Sequence, residues 1–178
     1  ASMSGRSHSR MSASPDPSAR PTLAEECGLQ RPGPGWWVWP GDPHILAALL
    51  LAPPTLAVLG LLAGPHLRIA AGWCAWASLV LVQPFAEELV FRGVLQGQLL
   101  RLSGGRRIGA VTLANLSTTA GFVAVHLLAQ PPVWALAVAV PSLVFGHLRE
   151  RLGSVWPAVA MHAFYNAGFG LTAWLARA

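Results

Sequence analysis

Long apolar runs fill the chain from residue 44 onward, and short polar or Pro/Gly-containing turns separate them. Each run is close to the roughly 20 residues that a helix needs to cross a bilayer. Repeated runs of this length are typical of an all-α, polytopic transmembrane helix bundle. The pattern predicts about five spans, over residues 45–63, 67–85, 108–128, 132–148 and 154–175.

Residues 86–102 continue a helical pattern but carry charged and amide side chains. We therefore expect a further helix there, which lies at the interface or inserts only partly, after a bend at Pro84. A single long, tilted helix over residues 67–102 is the alternative. Gly93 and Gly97 form a GxxxG step, which permits close helix contact. In the first span, Pro53 and Pro54 predict a kink.

The first 43 residues differ in composition from the rest of the chain. They are rich in Ser, Pro, Gly and Arg and show no helical period. Such a composition predicts a disordered polar tail over residues 1–43. A membrane-embedded domain over residues 44–178 follows, with its core over residues 67–175.

Composition and charge narrow the function classes. The chain is 53% hydrophobic and only 11% charged, which is too apolar for an ordinary soluble domain. Its net charge is +5, but the arginines are scattered in the tail and turns, so we expect no nucleic-acid partner. They fit better as topology signals, since positive charge favours the cytoplasmic side. Arginines in the tail and at positions 106, 107, 149 and 151 then predict a cytoplasmic N-terminus.

Two adjacent carboxylates, Glu87 and Glu88, lie in the apolar part of the chain. A charged side chain at the bilayer centre costs roughly 2.5–3.5 kcal/mol on insertion scales, so such residues usually have a function. Glu88 and Arg92 are four residues apart and face each other on a helix, with the acid in the favoured N-terminal position. Glu87 points about 100° away and is free to act as a general base. The alternative is a solvated charged face on an interfacial helix.

Two later spans each carry one histidine in an i, i+4 pair, Phe122 with His126 and His162 with Asn166. The first pair belongs to a stripe made of Asn115, Thr119, Phe122 and His126. Imidazole and amide N–H groups on one helix face can donate together to an oxyanion. Hydrogen bonds between helices are the alternative, because a polar group in lipid needs a partner.

These pairs resemble the motifs of a family of intramembrane proteases, the CPBP family (CAAX-protease and bacteriocin-processing, or Abi). Residues 87–92 (EELVFR) resemble its EExxxR motif, residues 122–126 (FVAVH) its FxxxH motif and residues 162–166 (HAFYN) its HxxxN motif. All three occur in the family's order, and the resemblance covers about residues 67–175.

The resemblance implies that Glu87 and His126 activate a water molecule, and that His162 and Asn166 stabilise the tetrahedral oxyanion. It implies a site-shaping role for Glu88, Arg92 and Phe122. The chain is then expected to be a glutamic-type intramembrane endopeptidase in a bacterial inner membrane. The expected partners are the lipid bilayer and a small membrane-associated or C-terminally tagged protein as substrate. No oligomeric state is predicted.

Other functions and a metal site are open alternatives. Glu87, His126 and His162 form a His₂Glu set that could bind zinc. The chain lacks the HExxH motif of zinc proteases, so we expect no metal cofactor. A non-catalytic immunity or scaffold protein of the same fold is the main alternative to an enzyme. A proton-coupled carrier is the third, because Glu and His also form proton relays in membranes.

Overall fold

A computed structural model describes residues 21–30, 41–63 and 72–175, and helices dominate this part of the chain. The helices are α1 (Leu23–Glu26), α2 (Pro43–Ala63), α3 (Trp73–Ser103), α4 (Leu113–Leu127), α5 (Pro132–Ala137), α6 (Ala139–Leu152) and α7 (Trp156–Leu175). Two short antiparallel strands, β1 (Arg107–Ile108) and β2 (Val111–Thr112), form a hairpin between α3 and α4. The helical architecture agrees with the all-α prediction, but the hairpin moves the start of the predicted third span from residue 108 to Leu113.

Helix α3 is continuous over 31 residues, which agrees with the alternative of one long helix and not with a separate helix after Pro84. Residues 67–71 of the predicted range lie outside the described residues. Two π-helical stretches, Ser78–Val82 and Leu89–Leu95, interrupt its α-helical hydrogen bonding. In the first, the Gln83 N–H donates to the Ser78 carbonyl five residues back. The wider turn accommodates Pro84, whose ring would clash with a carbonyl in a regular α-helix.

Within the described residues, two stretches are long and apolar enough to cross a membrane. They are α3 and Pro132–Leu152, which contains α5 and α6, each with a mean hydropathy of 1.3. The part of α2 over Pro43–Val58 and helix α4 are shorter apolar segments. Many large apolar side chains face outward, among them Leu50, Trp73, Leu128 and Val133. Such a surface suits lipid, while the number of spans stays a prediction.

Helix α2 packs against α6 and α7 and continues through the adjacent Pro53 and Pro54. Beside the prolines, the Thr55 hydroxyl donates to the Leu51 carbonyl at 2.7 Å, a contact that often bends helices. An apolar cluster joins the three helices and consists of Ile45, Ala48, Phe145, Leu148, Ala158 and Met161. The packing of α2 thus supports α6 and α7.

Residues 21–30, assigned to the disordered tail by sequence, form one ordered turn of helix with its flanks. Thr22 and Glu25 make a capping box, in which the Thr22 N–H donates to Glu25 Oε2 at 2.7 Å. Hydrogen bonds from the Thr22 N–H and hydroxyl lower the pKa of the Glu25 carboxyl. Residues 1–20 and 31–40 of the predicted tail lie outside the described residues, and the division at residue 43 stays a prediction.

Residues 26–30, here called the strap, lie across α3 and α6. The Glu26 carbonyl accepts a hydrogen bond from Arg149 Nη2 at 2.9 Å, and Arg149 is buried. On α3, Gly93 and Gly97 face the strap backbone, and a Cβ at position 97 would overlap the Glu26 carbonyl. The GxxxG step therefore permits a close contact, as expected, but its partner is the strap.

The strap also holds the start of α7. The Val155 N–H donates to the Gly28 carbonyl at 2.9 Å, and the Trp156 indole N–H donates to the Leu29 carbonyl at 3.2 Å. Because these residues directly precede or begin α7, the strap links that helix to α3 and α6. Its backbone carbonyls therefore find donors from the helices around it, and this part of the predicted tail packs against the bundle.

Charged turns lie on one side of the bundle. Arg101 near the end of α3 pairs with Glu26 at 3.3 Å, and Arg149 near the end of α6 donates to the same residue. Arg151 pairs with Asp42, just before α2, at 2.9 Å. The start of α2 and the ends of α3 and α6 are thus on one side, as alternating spans require. The arginines of residues 1–20 and 31–40 lie outside the described residues.

We expect Gly97→Ala to destabilise the protein, because the new Cβ meets the Glu26 backbone carbonyl and one segment must shift. Overpacking of this kind costs about 1–3 kcal/mol. Gly121→Ala on α4 is the matched control, since a Cβ there meets Leu95 at an ordinary 3.7 Å. Thermal unfolding in detergent micelles compares the two variants. A melting temperature of Gly97→Ala equal to that of the wild type would contradict the strap contact.

Candidate active site

Glu88 and Arg92 form an ion pair inside the bundle. Arg92 Nη1 donates to Glu88 Oε1 at 2.9 Å, and both side chains are 0% exposed. The spacing on α3 predicted that these residues face each other, and the structure has them in direct contact. Removing two charges from water costs several kcal/mol per ion, which mutual attraction and further hydrogen bonds must offset. The pair therefore needs close partners from neighbouring helices.

Arg92 finds those partners on α4 and α6. Its Nη2 donates to the Ser142 hydroxyl at 2.7 Å and to the Ser142 carbonyl at 3.0 Å. Its guanidinium carbon lies 4.6 Å from the centre of the Phe122 ring and 5.5 Å from that of Phe145. Aromatic faces attract a cation most where water is excluded. These contacts hold the guanidinium in place beside Glu88.

His162 of α7 contacts both adjacent carboxylates of α3. Its Nδ1 lies 2.7 Å from Glu88 Oε1, and its Nε2 lies 3.9 Å from Glu87 Oε2. An ionised carboxylate only accepts, so Nδ1 carries a proton in this contact. The Phe145 ring stacks on the imidazole, with 5.0 Å between ring centres. Glu88 Oε1 therefore accepts from Arg92 and His162 together, which fixes the position of the imidazole.

Glu87 differs from Glu88 in exposure. The Glu87 side chain is 32% exposed, whereas that of Glu88 is 0% exposed. Glu87 is thus the carboxylate that a water molecule or a substrate can reach, and Glu88 is enclosed with Arg92. Glu87 lies outside the pair of Glu88 with Arg92, as the helical spacing predicted. The catalytic role of Glu87 stays a prediction.

His126 of α4 binds its own helix. Its Nδ1 lies 2.9 Å from the Phe122 carbonyl, and because a carbonyl only accepts, the proton is on Nδ1 and Nε2 is an acceptor. The Phe122 ring lies beside both histidines, with its centre 4.3 Å from that of His126 and 6.2 Å from that of His162. In the described part of the chain, no hydrogen bond joins His126 to Glu87.

Asn166 binds the backbone of α3. Its Nδ2 donates to the Leu79 carbonyl at 2.9 Å. In the π-helical register this carbonyl would accept from residue 84, five positions along, but Pro84 has no N–H. Asn166 thus supplies the donor that the proline lacks. The amide has a second N–H, which can still donate to a ligand.

Ser142 and Phe145 contact the site although the sequence did not single them out. On α6 they lie on a buried face with Gly146 and Arg149, at spacings of three and four residues. That periodicity is a signal for a face turned toward the bundle. It does not reveal which partner the face meets, so the contact of Ser142 with Arg92 could not be read from the chain.

The three residues of the zinc alternative, Glu87, His126 and His162, are only partly brought together. His162 lies 3.9 Å from Glu87, whereas His126 hydrogen-bonds its own helix. Over residues 21–30, 41–63 and 72–175, no three His, Cys, Asp or Glu side chains are arranged to hold a metal ion. The zinc alternative and the expectation of no metal both stay predictions.

Comparison with known proteins identifies one matching protein family. Residues 69–168 match a family model described as "Type II CAAX prenyl endopeptidase Rce1-like". No curated protein and no solved structure matches the chain. The matched range contains every predicted site residue, from Glu87 to Asn166. With the two long apolar helices, the match points to a membrane protein.

We expect Asn166→Leu to lower the free energy of unfolding by about 1–3 kcal/mol, because the Leu79 carbonyl loses its donor. In a Pro84→Ala background the residue at position 84 has an N–H, so the loss should be smaller. Unfolding of the wild type, both single variants and the double variant in micelles measures this coupling. Equal losses in both backgrounds would show that Asn166 does not compensate for the proline.

Proposed function

The chain belongs to the type II CAAX prenyl endopeptidase Rce1-like family, and from that premise we propose that it is an intramembrane endopeptidase. Its proposed substrate is a small membrane-associated or C-terminally tagged protein, cut at a peptide bond near the membrane interface. The observation that carries the proposal is the contact of His162 with two carboxylates, one accessible and one enclosed with Arg92.

Glu87 is the proposed general base. It takes a proton from a water molecule as the water oxygen attacks the scissile carbonyl, and His126 assists. The exposure of Glu87 and the acceptor nitrogen Nε2 of His126 support these roles. The C–O bond forms first, the C–N bond then breaks, and Glu87 passes its proton to the leaving amine.

His162 and Asn166 are the proposed donors to the oxyanion. His162 would donate through Nε2, which requires protons on both ring nitrogens. The Glu88 carboxylate at Nδ1 supports this state, because a carboxylate hydrogen-bonded to a histidine orients the ring and stabilises the imidazolium. Asn166 would donate through the amide N–H that is not engaged with Leu79. Glu88 and Arg92 thereby shape the site without touching the substrate.

We also propose a bacterial inner-membrane location with the N-terminus on the cytoplasmic side. The strap, the Arg101 end of α3 and the Arg149 end of α6 are in mutual contact, which gathers positive charge on one side of the bundle. Positive charge near the ends of membrane helices favours the cytoplasmic side. The test fuses to the N-terminus a reporter enzyme that works only outside the cytoplasm. Activity of this reporter in cells would overturn the proposed orientation.

We expect Glu87→Gln to slow cleavage by at least about 100-fold, because an amide cannot take a proton from water. The measurement uses purified protein in liposomes and two peptide sets, farnesylated peptides ending in a CAAX sequence and membrane-anchored peptides with C-terminal tags. Mass spectrometry of the products gives the cut site. Glu25→Gln is the matched control, because glutamine also serves in a capping box and Glu25 lies outside the site.

Products from the wild type and Glu25→Gln, but not from Glu87→Gln, would support the proposal. Cleavage by Glu87→Gln at the wild-type rate would contradict the role of Glu87. If a folded wild type in liposomes leaves both peptide sets intact, the non-catalytic immunity or scaffold alternative is favoured.

We expect cleavage to survive exhaustive chelation, because the proposed chemistry uses Glu87 and the two histidines without a metal. The same liposome assay, run before and after dialysis against a chelator, tests this, with metal content measured by elemental mass spectrometry. Activity that disappears on chelation and returns with Zn²⁺ would contradict the metal-free mechanism. It would favour a zinc site at Glu87, His126 and His162.

A further inference from the structure

A row of hydrogen bonds crosses three helices and ends on the buried ion pair. Arg92 Nη2 donates to Ser142 Oγ at 2.7 Å, and Ser142 Oγ donates to Thr119 Oγ1 at 2.9 Å. Thr119 Oγ1 in turn donates to Asn115 Oδ1 at 3.4 Å. All four side chains are buried, with exposures between 0% and 6%. The row thus links α4 through α6 to the charged residues of α3.

The direction of this row is fixed at both ends. An arginine only donates, so the Ser142 oxygen accepts from Arg92 and its hydrogen turns toward Thr119. At the other end, Asn115 Nδ2 donates to the Leu143 carbonyl at 3.0 Å, which leaves its Oδ1 facing Thr119. Gly146 makes this approach possible, because a Cβ there would overlap the Asn115 amide. Each hydroxyl in the row therefore has one favoured orientation.

Ser142 and Glu88 bind the two terminal nitrogens of Arg92. Within the described ranges, the side chains that hydrogen-bond Arg92 are Glu88, at Nη1, and Ser142, at Nη2. Since the guanidinium is planar and rigid, fixing one terminal nitrogen sets the direction of the other. Glu88 Oε1 also holds His162 Nδ1. A shift of the guanidinium would therefore move the carboxylate that orients the imidazole.

We propose that Ser142, backed by Thr119, is a positioning residue for the proposed peptidase reaction, on which this inference rests. It acts through Arg92 and Glu88 on His162 and touches no substrate. Loss of its hydroxyl slows the chemical step and leaves substrate binding intact, because small misplacements of a catalytic group cost rate.

Gln96 provides a matched control on the same helix pair. It lies four residues after Arg92 on α3 and donates to the carbonyl of Gly146, four residues after Ser142 on α6, at 3.1 Å. Its side chain is also 0% exposed. Gln96 Nε2 also donates to Glu150 Oε1 on α6 at 2.7 Å. Gln96→Met therefore removes two hydrogen bonds between the same two helices without removing a hydrogen bond of Arg92 or Glu88.

The test measures kcat and KM for the wild type, Ser142→Ala, Thr119→Val and Gln96→Met, with a peptide that the wild type cleaves. We expect kcat of Ser142→Ala to fall about tenfold with KM unchanged, as for the loss of one hydrogen bond to a charged group. Thr119→Val should show a smaller fall in kcat, and it keeps the inference testable if Ser142→Ala does not fold. Gln96→Met should lose melting temperature but keep its kcat.

A double-mutant cycle separates positioning from general loosening of the bundle. In a Glu88→Gln background, Ser142→Ala should have little further effect on kcat, because the route to His162 is already broken. Independent, multiplying effects of the two substitutions would overturn the inference, as would a kcat of Ser142→Ala equal to that of the wild type. If the wild type is active, either of these two results contradicts the role of Ser142 but leaves the proposed peptidase function intact. A folded wild type that cleaves no peptide overturns both the role of Ser142 and the peptidase function.

Discussion

The ion pair of Glu88 and Arg92 is the constraint on which the arrangement of the helices depends. Neither side chain has exposed surface, so each needs close partners inside the bundle. Ser142 of α6 and His162 of α7 supply them, and three helices must therefore meet at one point. Breaking a buried pair by removing one partner typically costs about 3–5 kcal/mol, because the other charge stays uncompensated. That cost makes this meeting point difficult to rearrange.

Small residues make the surrounding contacts possible. Gly146 lets Asn115 come close to α6, and Gly97 lets the strap lie on α3. Helices in lipid gain little from apolar burial against each other, so close backbone approach and hydrogen bonds determine which faces meet. The strap follows the same rule with its backbone carbonyls, one of which accepts from buried Arg149. The buried polar residues around Arg92 and the surfaces of α3 and α6 that the strap covers thus lie next to each other in the bundle.

Local geometry explains why part of the site could be predicted from sequence. The contact between Glu88 and Arg92 follows from four-residue spacing on one helix, which depends little on distant parts of the chain. The continuity of α3 through Pro84 was harder to predict, because a π-helical turn and a side chain from α7 both accommodate the proline. The contact of Asn166 with the Leu79 carbonyl was equally hard to predict, since the two residues are 87 positions apart.

The sequence by itself determined the helical class, the charged and polar residues that lie among apolar runs, and the family to which their order points. These features are local, because spacing along a helix and hydropathy do not require knowledge of neighbouring elements. Only the tertiary structure decided that His162 binds Glu88, that Ser142 holds Arg92 and that residues 26–30 pack on Gly97. These contacts join residues far apart in the chain, and which groups satisfy a buried charge or carbonyl depends on how the helices pack.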